Sequence, residues 1–251
     1  YVPYVKRRAI VPGIIIAVLL VAVGIGYLVS CEFFRASSYS KIISVDTDSN
    51  FSEDVEEQTA DSFSEIPKLD EDTAAQLAAR ALGALKDIGS VSQFTIAPDI
   101  IKWLVNTRDG FPGYVMVNMA DESTNFVELK DGSIRYSAYE HFNKLLKRHL
   151  RFEFPTYLFA DATFEVNDDG DPFWICARLD KTIGLFGGTD VIGIVLVDAV
   201  SGECIEYSMD QLKDDPNLQW IDRVYDSDLI VQQYNDYGKY QKGFWNSLLG
   251  Q

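Results

Sequence analysis

Two histidines, three cysteines and a few acidic turns are all that this chain offers for group chemistry. His141 and His149 stand eight residues apart. On one helix that spacing separates them by about 12 Å along the axis, too far to share a metal ion. Cys31, Cys176 and Cys204 form no C-x-x-C pair and no zinc-type spacing. Cys176 and Cys204 read as small buried hydrophobes. A disulfide between them is the competing reading, which spacing does not decide. Asn167-Asp168-Asp169-Gly170-Asp171 has the composition of a calcium loop. An EF-hand with Gly170 in sixth place would start at Glu165 and need a bidentate Glu where Cys176 stands, so a Gly-containing hairpin turn fits better. Ile183–Gly188 is glycine-rich, yet its spacing is neither that of a phosphate loop nor that of a dinucleotide motif. A flexible loop between strands is expected there, with Leu185 and Phe186 exposed as a contact point for a partner. No G-x-S-x-G elbow, HExxH or phosphate loop is present. No catalytic residue, metal ligand or cofactor site is expected, although a Ser-His-Asp triad is defined in space and not in sequence.

Two surface features carry binding chemistry. Lys144, Lys147, Arg148, His149 and Arg151 form a basic cluster in an acidic chain. It suits a polyanion such as a wall polymer or phospholipid headgroup. Neutralisation by Glu140, Glu153 and Asp161 is the simpler account. The second feature is aromatic: Tyr225, Tyr234, Tyr237, Tyr240, Phe244 and Trp245 crowd the C-terminal part. Tyr and Trp bury large area and keep a polar handle, which suits an interface with a protein partner. Packing on a sheet is the alternative.

The stretch that must position all of this is Ala9–Cys31, AIVPGIIIAVLLVAVGIGYLVSC, which holds no charged residue and follows Lys6-Arg7-Arg8. As a helix it reaches about 34 Å, enough to cross a hydrocarbon core of about 30 Å and contact membrane lipid along its length. The basic flank then puts the N-terminus in the cytoplasm and the rest outside. Leu28-Val29-Ser30-Cys31 also looks like a lipobox, in which cleavage precedes a lipidated Cys31. The apolar run is longer than the roughly 7–15 residues of a signal-peptide core, which favours an uncleaved helix. Gly13, Ala17 and Gly24 fall near one face, where small residues permit helix–helix contact and a homo-oligomer. The chain opens on Tyr1 and not Met, so residues are expected to precede it.

Three of the 22 basic residues and none of the 38 acidic ones lie in residues 1–31, which leaves the remainder with a net charge of −19. Such a surface repels nucleic acid, so DNA and RNA binding are excluded for it. It also repels anionic headgroups, and the domain is expected to stand off the membrane. The Ser-, Asp- and Glu-rich residues 32–69 read as an extended, mobile acidic stalk, with Phe33 and Phe34 in the interfacial layer.

Beyond the stalk, a helix capped at Asp70 or Asp72 carries Leu77, Ala81, Leu82, Leu85 and Ile88 on one face and stops at Gly89. VSQFTI and IIKWLV read as strands. GYVMVNM, the turn DEST and NFVELK read as a hairpin, and SIRYS as a short strand. A second helix, AYEHFNKLLKRHL, turns Phe142, Leu145, Leu146 and Leu150 inward. ATFEV and PFWICARL form a hairpin around NDDG, and VIGIVLVDA and CIEYS another around SGE. WIDRVY, SDLIVQQYNDY and, after a break at Gly238, KYQKGFWNSLL read as helical. Gly113-Tyr-Val115-Met-Val117-Asn-Met119 echoes Gly193-Ile-Val195-Leu-Val197-Asp-Ala199 at an offset of 80 residues. The echo suggests two copies of one helix-plus-antiparallel-strands module.

RHLRFEFPTYLF, FEVNDDGDPFWI, TIGLFGGTD, VLVDAVSGE, WIDRVYDSDLIVQQY, YGKY and GFWNSL together resemble an uncharacterised family of single-pass membrane proteins from Gram-positive, clostridia-type bacteria. The resemblance covers most of residues 60–251. It implies an extracytoplasmic domain with repeats similar to the PepSY module, a small helix-plus-sheet unit of secreted inhibitors and sensors, and it brings no catalytic residues. It also implies a longer chain after Gln251 and an extra segment between Asp99 and Ile100, so that this junction is expected not to be a true peptide bond.

The expected fold is therefore α+β: an N-terminal transmembrane helix followed by two PepSY-like helix-plus-antiparallel-sheet modules. The boundaries are a cytoplasmic basic flank over 1–8, the transmembrane helix over 9–31, the acidic stalk over 32–69, modules over 70–137 and 138–216, and a C-terminal helical segment over 217–251. The expected function is a membrane-anchored extracytoplasmic adaptor or accessory subunit, non-catalytic, that binds another envelope or membrane protein. A PepSY-like inhibitor or sensor module and a cell-envelope hydrolase are the alternatives.

Overall fold

The computed structural model describes residues 5–45, 73–74, 76–78, 88–96, 100–107, 110–118, 121–129, 133–138 and 142–249. His141, the Asp99 side of the Asp99–Ile100 junction, residues 46–69 of the expected stalk and residues 79–87 of the first expected helix lie outside them. The architecture is mixed α+β, with an N-terminal apolar helix and antiparallel sheets. The chain divides into two compact units, one of Tyr1–Val45, Asp180–Asp190 and Ser227–Gln251, the other of Asp46–Leu179 and Val191–Asp226.

The first unit is built on helix α1, Val5–Ser30. Its Pro12–Ser30 window has a mean hydropathy of 2.6 and is long and apolar enough to cross a membrane. Cys31 then turns to an extended conformation (φ −66°, ψ 136°), and α2 follows over Glu32–Tyr39. The start of the expected stalk is thus a helix. Ala36 and Tyr39 are buried in a cluster with Ile183 and Tyr240, which supplies the apolar contact that a solvated spacer would lack.

The second unit holds two antiparallel sheets. In the first, β1 (Ile88–Ile96), β2 (Ile100–Thr107), β3 (Gly110–Asn118) and β4 (Thr124–Glu128) pair in sequence order. Ile88 and Gly89 belong to β1, not to the helix and stop expected there. Residues 73–74 and 76–78 are helical. Instead of a strand, SIRYS makes isolated bridges, one of them from Ser137 to Leu145. The second expected helix is shorter than its pattern: a 3-10 turn at Phe142–Lys144 precedes α3, Leu146–Glu153. Phe142 has φ +54° and is 79% exposed, so it leaves the apolar face, while Leu146 and Leu150 are buried.

The second sheet has the order β5 (Leu158–Phe159), β7 (Pro172–Ile183), β8 (Gly187–Asp198), β9 (Cys204–Ser208), with β6 (Thr163–Val166) also on β7. The expected loop over residues 182–190 is instead a short turn between two twelve-residue strands. Helix α4 (Met209–Asp214) is opened by a capping box in which Ser208 and Gln211 exchange hydrogen bonds. Residues 220–224 carry no helix where one was expected. Helix α5 (Ser227–Tyr240) runs through Gly238, and the break falls at Gly243 before α6 (Phe244–Leu249).

The core of the second unit centres on Trp174, which is fully buried and whose Nε1 donates to the Tyr136 carbonyl at 2.8 Å. Phe164 packs edge-on to Trp174 at 5.3 Å, and Tyr114 edge-on to Phe164 at 6.2 Å. Leu146 and Leu150 of α3 and Val195 and Val197 of β8 complete this cluster. On the other side of β8, Ile194 and Leu196 pack with Ile175 against Leu212, Trp220 and Val224. Burial on both faces explains the continuous apolar run of β8.

The 80-residue echo is structural as well as textual. Gly113, Val115 and Val117 face Glu128, Phe126 and Thr124, while Gly193, Val195 and Val197 face Ser208, Glu206 and Cys204. Every partner is shifted by the same 80. The turns match too: Asn118 and Asp198 both accept, through side-chain oxygens, from the backbone N–H three residues on. The positive φ angles of Glu122 (64°) and Gly202 (83°) also fall at equivalent places. Each glycine has the same cause. A Cβ on Gly113 would lie 2.1 Å from the Val127 carbonyl oxygen, and one on Gly193 would lie 2.4 Å from that of Tyr207.

Gly113→Ala and Gly193→Ala should therefore each lower stability by about 1–3 kcal/mol, since the obstacle is backbone. Gly238→Ala, with nothing within 4 Å of its would-be Cβ, should raise it by about 0.5–1 kcal/mol. Urea unfolding midpoints of the three variants test the contrast, and equal behaviour would refute the close-approach account.

Candidate functional site

Segments distant in sequence converge in the first unit, at the C-terminal end of α1. Ser30 is its centre. Its hydroxyl donates to the Gly26 carbonyl at 2.8 Å, a bond to the preceding turn that lets a serine end an apolar helix without an orphaned polar group. The same oxygen accepts from the backbone N–H of Leu185 at 2.9 Å and of Phe186 at 3.0 Å. One donor and two acceptor positions are all that a hydroxyl has, and all are used. The Ser30 carbonyl accepts from Tyr39 Oη at 2.8 Å.

The turn between β7 and β8 is shaped to reach this point. Gly184 has φ +62°, a left-handed conformation that favours glycine, and a Cβ there would meet Ser30 Oγ at 2.5 Å. A Cβ on Gly187 would meet Tyr39 Oη at 2.1 Å, and one on Gly26 would meet Phe186 Cε2 at 2.8 Å and Leu185 Cδ1 at 2.9 Å. The glycines of the IGLFGG stretch thus serve a backbone contact. Thr182 Oγ1 donates to the Gly188 carbonyl at 2.6 Å and steadies the turn. Buried Gln233 of α5 donates from Nε2 to the Thr189 carbonyl and to Asp190 Oδ1, both at 3.0 Å.

Polar and aromatic groups close the site. Tyr240 Oη donates to Glu32, and Lys239 Nζ lies 3.8 Å from the same carboxylate. Burial, then the Glu32 charge, raises the pKa of Tyr39 and that of Asp236. Burial, then the hydrogen bond with Glu32, raises that of Tyr240. Phe33 makes edge-on contacts with Phe244 at 5.1 Å and Trp245 at 5.5 Å. A cleft of about 250 Å³ remains, lined by Tyr27, Cys31, Glu32, Tyr39 and Phe244 among others. Its resources are hydrogen bonding, ring packing and one carboxylate.

Of the residues expected to meet a partner, Leu185, Phe186, Tyr240, Phe244 and Trp245 converge here. Tyr234 and Tyr237 pair with each other along α5 at 6.4 Å, with Tyr234 exposed. Gly13, Ala17 and Gly24 are exposed along α1, and nothing stands within 4 Å of a Cβ built on either glycine. Ser30, Gly26, Glu32 and Tyr39 escaped the sequence reading. Their only signal is a small residue and a hydroxyl one turn apart at the end of an apolar run.

The basic cluster belongs to the second unit. Arg151 Nη1 is bonded to the carbonyls of Pro155 (3.0 Å) and Tyr157 (3.1 Å), and Arg148 lies 5.5 Å from the centre of the Phe152 ring. Lys144 and Lys147 are exposed. Lys147, Arg151 and Asp161 share a cleft of about 230 Å³ with Leu146, Leu150 and Phe159. His149 Nε2 stands 2.8 Å from the Gly202 carbonyl, which only accepts, so this nitrogen carries the proton. It is 3.5 Å from Cys204 Sγ and cannot take the thiol proton in that tautomer. Burial, then Glu153 and Glu203, pushes the Cys204 thiol up to about 11, and burial pushes that of Cys176 up as well. All three cysteines are free thiols. Asn167 Oδ1 accepts from the N–H groups of Asp169 (3.1 Å) and Asp171 (2.7 Å), making a side-chain-closed turn. Among the described residues no group of three or more His, Cys, Asp or Glu is placed to hold a metal ion.

Comparison with family models, curated proteins and solved structures finds no match to this chain.

Ser30→Ala leaves the Leu185 and Phe186 amides without their acceptor, at a cost of about 1–3 kcal/mol. Hydrogen exchange at those two amides should speed up by about tenfold or more, with α3 unaffected. Unchanged exchange would remove Ser30 from its central place. Cys204 should be alkylated at pH 8 about 100-fold more slowly than an ordinary thiol, because only the thiolate reacts. Its rate should climb with pH towards about 11. A plateau near pH 8.5 would contradict the burial argument.

Proposed function

We propose that the chain is a single-pass membrane protein with a cytoplasmic N-terminus, whose α+β part works outside the membrane as a non-catalytic adaptor or accessory subunit. Its partner is another membrane or envelope protein. One observation carries this reading: Gly26 and Ser30 of the apolar helix are contacts of a folded site. Removal of a signal sequence before Cys31 would take both away. It would leave the Leu185 and Phe186 amides and the Tyr39 hydroxyl without these acceptors. Retention of α1 is consistent with Lys6-Arg7-Arg8 on its N-terminal side, and the positive-inside rule supplies the orientation. The exposed Val231 and Tyr234 on α5 supply aromatic and aliphatic surface for a partner.

The repeated hairpin register favours a second reading in the same location. Two PepSY-like modules, each a helix with an antiparallel sheet, would make an inhibitor or sensor domain, and the 80-residue correspondence of β3–β4 with β8–β9 supports the duplication.

Purification of the full-length protein from membranes in mild detergent separates these readings. The mature protein should carry the residues before Cys31, with Cys31 free of lipid by intact mass. It should co-purify with a stoichiometric membrane protein that is lost when Val231 and Tyr234 become Asp and Ala. A mature N-terminus at a lipidated Cys31 would sink the retained span. A retained span on a clean monomer or self-dimer would sink the adaptor and leave the sensor or inhibitor.

A further inference from the structure

Three chain segments that are distant in sequence leave apolar side chains exposed around the C-terminal end of α1. They are Phe34 on α2, Leu185 and Phe186 at the β7–β8 turn, and Trp245, Leu248 and Leu249 on α6. Their exposures run from 50% for Phe186 to 77% for Leu249. The residues 183–188 and 244–249 hold no charge. Among the described residues nothing covers this patch, and its position relative to α1 says what does.

The level of the patch follows from contacts within the first unit. The apolar window Pro12–Ser30 is 19 residues, about 28 Å of helix, which nearly matches a hydrocarbon core of about 30 Å. Ser30 therefore falls near the edge of that core, and Gly26 about 6 Å inside it. Leu185 and Phe186 lie against Gly26, at the distances a Cβ there would meet. A bilayer that accommodates the window has its boundary layer where these two side chains are. Phe33 sits just past the edge, and its edge-on contacts with Phe244 and Trp245 put α6 at that height. Tyr27, 67% exposed on α1, and Trp245, 60% exposed, are the residue types that gather at the headgroup level. Arg35, Lys239 and Lys242, all exposed, stand beside the patch in the first unit, where long cationic side chains reach phosphates while their stems stay in apolar surroundings.

We infer that the β7–β8 turn, α2 and α6 form an interfacial collar, which inserts Phe34, Leu185, Phe186, Trp245, Leu248 and Leu249 into the headgroup–acyl boundary of the bilayer that α1 spans. The inference rests on the spanning reading of α1. The occupant is lipid because the patch is continuous with the lipid-facing surface of the span and shares its depth. The net negative charge of the rest of the chain does not oppose this, because residues 183–188 and 244–249 are uncharged, and on α2 Glu32 is engaged by Tyr240 and Lys239.

Nitroxide labels on the full chain test it in vesicles of phosphatidylethanolamine and phosphatidylglycerol. Cys31→Ser and Cys204→Ser remove the accessible thiols, and buried Cys176 stays. Labels go on Leu185→Cys and Leu248→Cys, with Leu20→Cys as the span control and Asp169→Cys as the water control. Accessibility to oxygen and to a water-soluble nickel chelate gives depth. The expected result is Leu20 deep, Asp169 in water, and Leu185 and Leu248 immersed about 5–10 Å below the phosphates. Leu185 and Leu248 as open to nickel as Asp169, with Leu20 deep, overturns the collar and leaves the span standing. Labels shielded from oxygen and nickel alike overturn it in favour of a second protein surface. Leu20 in water overturns the span and the collar with it.

Discussion

One hydroxyl organises the first unit. Ser30 closes the last turn of an apolar helix onto Gly26 and receives two amides from a turn 155 and 156 residues later in the chain. Those amides lie at a strand-to-strand turn, where backbone N–H groups have no ladder partner and need an acceptor. A hydroxyl on a helix supplies it, and only if the residues on either side are small. Gly184, Gly187 and Gly26 meet that steric demand together, since a methyl on any of them would fall within 3.0 Å of another atom. The position of α2 follows, because Tyr39 reaches back to the Ser30 carbonyl, and α5 follows from Tyr240 on Glu32. The contacts are mutually dependent. Neutral hydrogen bonds of about 1 kcal/mol each become cooperative when they share one atom.

The second unit rests on a different constraint, the close approach of paired backbones. Gly113 and Gly193 hold the same register position in two hairpins, and each is excluded from bearing a side chain by a cross-strand carbonyl. The equivalent turns differ in one respect. Gly202 takes the left-handed conformation at little cost, whereas Glu122 takes it as a non-glycine residue, at about 1–2 kcal/mol. Retention of that conformation in both turns indicates that the register of the flanking strands decides it. Gly202 has a further reason, because a Cβ there would strike the Tyr136 ring at 2.3 Å.

Strands and hairpins were legible because their signal is local. Alternation or continuous apolar runs bounded by Asp, Asn and Gly name β3, β4, β8 and β9, and the duplicated Gly–Val-x-Val pattern gives even their shared register. Three features escaped for physical reasons. Phe142 keeps helical spacing with Leu145 and Leu146, yet a 3-10 turn with positive φ throws it into solvent, and periodicity does not sense backbone handedness. Gly238 reads as a breaker, but an interior glycine costs only about 1 kcal/mol, and buried Gln233 and Tyr240 on either side hold α5 straight through it. Residues 32–39 look like spacer by composition, because the burial of Ala36 and Tyr39 comes from residues near 183 and 240. The candidate site was half visible. Leu185, Phe186 and the C-terminal aromatics stood out by type, whereas Ser30 is ordinary in sequence and central only in space.

The acidity of the chain and its apolar collar are compatible because screening makes charge a local property. At physiological ionic strength the Debye length is about 8 Å. Carboxylates of the second unit farther than that from the end of α1 contribute little to the field there. What matters at the end of α1 is the set of ionisable groups beside it. Glu32 is engaged by Tyr240 and Lys239, and Asp236 has a raised pKa because burial and Glu32 both oppose its ionisation. Glu32 is thus paired, and Asp236 is the carboxyl beside it whose pKa is raised. Free carboxylates here would keep Leu185 and Trp245 in water. Engagement of Glu32 by Tyr240 and Lys239 is what a helix end needs if the surface around it is to meet lipid.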